Sequence, residues 1–189
     1  MPAFDLKSLA DVLAEVVDKV FKAATPPVLF SEKPVIQERD IIEYHGKMRV
    51  SGMEIFNGPT YISAVNFYPS AKDQQENKAC GAVVMYLEEG NSEILLKALG
   101  QKNIDEDDNQ AILNSCADGC KIISERFKTE LTAKGYGDLF LSAPKNYHNY
   151  VPPGIDFSLD QYKKYELNFL IKGRKVLAVD LTMAPIKGR

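Results

Sequence analysis

The chain has 189 residues, 45% of them apolar and 26% charged, with a formal net charge of −3. That length suits one domain, 1–189, burying roughly 70% of the surface an unfolded chain exposes, and the composition is that of a globular chain rather than a disordered one. The slight acidity, with lysines and arginines dispersed, argues against a nucleic-acid surface, and no run reaches the ~20 apolar residues that cross a bilayer.

From the N-terminus, Leu9, Val12, Leu13, Val16, Val17, Val20 and Phe21 recur at spacings of three and four. This predicts an amphipathic helix over 5–24 with one buried face. Asp5, Asp11, Glu15 and Asp18 interrupt any apolar stretch of the kind a signal peptide needs, so a cytoplasmic location is expected. Pro26 and Pro27 close the helix, and 28–38, interrupted by Pro34, reads as a connector. Strands are expected over 48–56, which alternates loosely, over 60–68, rich in β-branched and aromatic residues, and over 80–86, a compact apolar run. Polar residues at 70–78 form a turn or loop between the last two.

A short helix is expected over 92–99, closed by Gly100, and a second long helix over 105–134, stopped by Gly135. Asp105, Glu106, Asp107 and Asp108 crowd its first turn, where the helix dipole favours acidic groups, and Asp105 is the expected N-cap. A strand at 139–142 ends before Pro144. Residues 146–157, with Tyr147, His148, Tyr150, Pro152 and Pro153, read as an irregular packed loop. A hairpin of 165–172 and 175–183 turns about Gly173-Arg174. Strands that succeed one another without helical crossovers imply antiparallel pairing. The expected class is therefore α+β, an antiparallel sheet with two long amphipathic helices packed on one face and a short helix besides.

On a wheel of about 100° per residue, Ile112, Cys116, Gly119, Cys120, Ile123 and Phe127 gather on one side of the second long helix, with Leu113 and Leu131 at its margin. Opposite lies a polar row of Asp107, Ala111, Asn114, Asp118 and Glu125, whose default is a solvated face. Of the three cysteines, Cys116 and Cys120 share the apolar side and read as small buried residues rather than a metal or redox pair. His45 and His148 read as surface or loop positions. Phosphate-cradling glycine motifs are absent from the sequence, and neither metal nor cofactor is expected.

The succession Gly81-Ala82-Val83-Val84-Met85-Tyr86, Leu99-Gly100, Ala111-Ile112-Leu113-Asn114, Gly119, Leu131-Thr132-Ala133-Lys134-Gly135 and Leu141-Ser142-Ala143-Pro144 resembles the CheX/CheC-type chemotaxis phosphatases, and the likeness extends more weakly to both ends. The resemblance implies a CheC-like fold and a Glu-x-x-Asn motif on the second long helix. In that family the motif removes phosphate from an aspartyl phosphate of a response regulator. The Asn positions the attacking water, the Glu pairs with a regulator lysine, and the magnesium belongs to the regulator. An amide and a carboxylate one turn apart suit a reaction carried by positioning and electrostatics.

Here Asn114 stands at the Asn position and Ala111 where the Glu belongs, and a methyl group cannot pair with a lysine. Asp118 one turn further, Asp107 or Gln110 could supply the missing polar group. Glu15-Val16-Val17-Asp18 has the spacing of a second motif, but with Asp for Asn, and reads as solvated surface. Two functions follow. One is a non-catalytic relative in which Asp107, Gln110, Ala111, Asn114 and Asp118 dock a response regulator, a motor component or a second copy as a homodimer. The other is an active phosphatase with Asn114 and a relocated carboxylate, Asp118, as its catalytic pair. Ala111 favours the first.

Overall fold

A computed structural model describes residues 4–30, 32–102, 104, 105, 107–148 and 152–186. Helix α1, Leu6–Lys22, is capped by Asp5, whose carboxylate accepts the backbone N–H groups of Lys7 and Ser8. It buries Leu9, Leu13, Val16, Val17, Val20 and Phe21, as the spacing requires. Strand β1, Val35–Asp40, follows, then a small hairpin of β2, Glu43–Tyr44, and β3, Lys47–Met48, and a short helix α2, Gly52–Phe56. Strand β4, Thr60–Tyr68, a short α3, Ala71–Gln75, strand β5, Gly81–Glu88, and helix α4, Ser92–Ala98, lead to the long helix α5, Asn109–Ala133. Strands β6, Phe140–Leu141, β7, Lys145–His148, β8, Lys163–Ile171, and β9, Arg174–Met183, complete the chain.

The main sheet runs β1-β8-β9-β5-β4-β6, with β7 also on β4, and every pairing in it is antiparallel. The two long helices lie on one face. Leu13, Val17 and Phe21 of α1 and Cys116, Cys120, Ile123 and Phe127 of α5 share a cluster with Val65, Val83, Met85, Val179 and Leu181 of the sheet. Side chains alternate across a strand, so Ile62, Ala64, Ala82, Val84 and Ala178 point the other way, under Met48, Val50, Ile155 and Phe157. Strands β4 and β5 are therefore buried on both faces along almost their whole length, which is why 80–86 reads as a continuous apolar run rather than an alternating one. The α+β architecture is the one expected.

Local expectations fail where burial is one-sided or slight. The supposed connector runs into β1, an edge strand exposed at five of its six residues, which leaves no alternation to detect. The expected strand at 48–56 holds the ends of β3 and the single turn of α2 instead; Asn57, with φ 56°, stops that turn in the left-handed region. The polar stretch 70–78 contains α3, capped by Ser70, and the irregular segment at 146–157 begins as β7. Within that segment, Tyr150 lies outside the described residues. The hairpin tip is one residue early: Ile171 faces Arg174, and Lys172 and Gly173, at φ 52° and 75°, form the two-residue turn.

Candidate functional site

Helix α5 begins later than the acidic run suggests. Asp108, not Asp105, is the N-cap, its Oδ1 accepting the N–H groups of Gln110 at 2.9 Å and Ala111 at 3.1 Å. Asp105 instead accepts Asp107 N–H at 3.0 Å in the preceding turn. Asp107 therefore precedes the helix and does not extend its polar row, although it is exposed. Glu106 lies outside the described residues. Of the three aspartates in the run, the cap is the one four residues before Ile112, the first buried residue of the helix.

From there the wheel holds. Ile112, Cys116, Gly119, Cys120, Ile123 and Phe127 are buried; Leu131, expected at the margin, is fully buried too. Gln110, Asn114 and Asp118 are exposed, and Ala111 is half-buried among them. Gln110 Nε2 donates to Asn114 Oδ1 at 3.1 Å, an i,i+4 contact that orients the Asn114 amide. The face thus presents an amide held by a neighbouring amide, a methyl group one turn before it and a carboxylate one turn after.

The start of α5 is pinned to the sheet by contacts that the sequence did not reveal. Tyr61 of β4 donates its hydroxyl to Asn109 Oδ1 at 2.8 Å. Its ring stacks on His148 of β7, 4.0 Å between centroids and 14° between planes. His148 Nε2 lies 3.3 Å from Glu89 Oε2. Burial, then the neighbouring Glu89 and Cys116, push the Tyr61 hydroxyl up to about 12, which keeps it a donor. His148 is thus in a strand and 9% exposed at its side chain, not in a surface loop. Antiparallel pairing of Tyr61 with His148 brings the rings together, and nothing in either local sequence announces that pairing.

Other candidates take ordinary places. Glu15 and Asp18 on α1 pair with Lys19 and Lys22 one turn on, at 3.8 Å and 2.5 Å, as a solvated face does. Cys116 and Cys120 are buried, and burial raises both thiols, Cys120 to about 11. His45 is exposed in the tip of the β2–β3 hairpin. An open groove of about 680 Å³ lies between the C-terminal ends of α1 and α4 and the middle of α5, lined by Val20, Leu99, Ile122 and Arg126 among others, and contains none of the polar-face residues. The polar-face residues form an exposed ridge along the helix instead.

Searches with family models and against curated proteins find no match. Solved structures do match. The chemotaxis protein CheX of Vibrio vulnificus has a TM-score of 0.55 at 12% identity, over 92% of this chain and 97% of that one. FliY of Thermotoga maritima has 0.56 at 12%, over 97% and 93%. A CheX of Borrelia burgdorferi, solved with CheY, BeF3 and Mg2+, has 0.52 at 11%, over 96% and 99%. The chain has a CheX/CheC-like fold.

Proposed function

We propose that this protein acts in chemotaxis-type signalling as a non-catalytic docking or regulatory relative of the CheX/CheC phosphatases, meeting the receiver domain of a response regulator, or a motor component, through the polar ridge of α5. One observation carries the reading: on that ridge Asn114 is exposed and oriented by Gln110, while the residue one turn before it is Ala111. The amide that would position a water is retained, and the carboxylate that would hold a lysine is missing. The likeness to a CheX solved together with CheY supports a receiver domain as the partner. The fold alone would serve binding and hydrolysis equally.

The test is dephosphorylation of a phosphorylated response regulator by the purified chain. The wild type is expected to match the spontaneous rate, and Ala111→Glu to exceed it. Ala111 is the third residue of α5, where a carboxylate is favoured by the helix dipole, so the fold should tolerate the change within about ±0.5 kcal/mol. A restored carboxylate–lysine contact contributes on the order of 1–3 kcal/mol, a gain of roughly 5- to 150-fold if realised in the transition state. Asn114→Ala added to Ala111→Glu should remove the gain.

A second reading is favoured by the exposure of Asp118 one turn beyond Asn114. In it, Asp118 is the relocated carboxylate of an active phosphatase. A wild type that is already active and is silenced by Asp118→Ala would replace the first reading with this one.

A further inference from the structure

The face of the sheet turned away from the long helices carries polar side chains that the core does not satisfy. Asn66, Asn168, Asp180 and Thr182 are 1%, 7%, 0% and 0% exposed. Asn66 Oδ1, Asn168 Oδ1, Asp180 Oδ1 and Thr182 Oγ1 have no hydrogen-bond partner among the described residues. Flipping the amides does not remedy this. Asn66 Nδ2 already donates to the carbonyls of Gly81 and Asp156, and Asn168 Nδ2 to Glu166 Oε1 at 2.7 Å, so the orientation of each amide is set by its own partners. Asp180 Oδ2 likewise takes Lys164 Nζ at 2.6 Å and the Tyr86 hydroxyl at 2.8 Å, which leaves Oδ1 as the open atom.

The register places these atoms in pairs beside alanines. Asn66 faces Ala82 and Ala82 faces Thr182, so Asn66 and Thr182 flank one methyl group across three strands. Strands lie about 4.8 Å apart, which separates the two backbones by roughly 10 Å. An oxygen–water–oxygen bridge spans about 5.5 Å, and two side chains leaning over a methyl group make up the rest. Asp180 faces Glu166 while Asn168 faces Ala178, so Asp180 and Asn168 are diagonal neighbours, about 7–8 Å apart. Met48, Ile155 and Phe157 pack with Ala82 and Ala178 in one cluster over this face, which closes it to bulk solvent.

We propose that this face is a built site for ordered water, one bridging Asn66 Oδ1 and Thr182 Oγ1 over Ala82 and one bridging Asp180 Oδ1 and Asn168 Oδ1 beside Ala178. The open atoms are two amide carbonyls, a carboxylate oxygen and a hydroxyl. They call for a small ligand with two donors, and the row spans four strands, too far for one ion. Water-mediated contacts of this kind are nearly as good as direct ones.

Two measurements on the full chain decide the matter. In the wild type, magnetisation transfer from long-lived water to the Nδ2 protons of Asn66 and Asn168 is expected by NMR. In thermal unfolding, Thr182→Val should lower Tm by about 2–6 °C and Thr182→Ser should largely restore it, because the hydroxyl returns. Removing a hydroxyl that has no partner would be neutral or would raise Tm. Silent amide protons, or a Thr182→Val variant at least as stable as the wild type, would overturn the proposal.

Discussion

Asp156 is a single residue on which three segments depend. Lys47 of β3 pairs with its Oδ1 and Lys145 of β7 with its Oδ2 at 2.9 Å, and its backbone carbonyl accepts from Asn66. Burial alone would raise this carboxyl; hydrogen bonds from Lys47 and Lys145, with their charges, outweigh it and hold the group below its ordinary value. A depressed carboxyl stabilises the fold above its unfolded value of about 3.9, and that contribution is lost as pH falls through the folded value. Asp156→Asn should therefore cost about 1–3 kcal/mol at pH 7, less than a fully buried pair because the lysines are 39% and 38% exposed. Below about pH 4 the variant should approach the wild type. Urea midpoints at pH 7 and pH 3 check this, and an equal gap at both would refute it. Asp180 works in the opposite sense. Burial raises its carboxyl despite Lys164 and Tyr86, so its contribution is present at low pH and falls as pH rises.

At the scale of elements, α5 fixes the register of the candidate ridge, since the depth of its cysteines says which way Asn114 points. Both helix thiols are buried and raised, as is Cys80, at about 12. Labelling of the folded chain by a thiol reagent should be slow at all three and fast only after unfolding; rapid labelling of Cys116 or Cys120 in the folded state would mean the ridge is turned. Strand β5 makes a similar demand at its first residue. A Cβ at Gly81 would stand 2.7 Å from the Thr182 carbonyl oxygen and 2.6 Å from the Met183 sulfur. The sulfur can move aside, but the carbonyl belongs to the β5–β9 ladder. Gly81→Ala should cost about 1–3 kcal/mol by overpacking, read as a lowered denaturant midpoint with unchanged slope.

For the whole molecule, β4, β5 and β9 are the shared floor of two apolar layers, one under α1 and α5, the other under the β3 and 155–157 segments. Exposing either layer strips one side of the same strands. We expect a single cooperative unfolding transition, with calorimetric and van't Hoff enthalpies equal; two resolved transitions would mean the second layer melts alone.

Hydrophobic period and composition were enough to place α1, α4, α5, β4, β5 and the final hairpin, because each buries a continuous stripe or run whose spacing survives in the sequence. The buried face of α5, and with it the exposure of Asn114 and Asp118, followed from the same arithmetic. Strands β1 and β7 did not, since edge strands owe their conformation to a neighbour's backbone rather than to their own side chains. The choice of Asp108 over Asp105 as cap rested on which turn first meets the core. The contact of Tyr61 with Asn109 and His148 and the unpartnered oxygens around Ala82 and Ala178 are products of long-range register. Residues 61 and 148, or 66 and 182, meet only when distant strands pair, and no local pattern encodes that meeting.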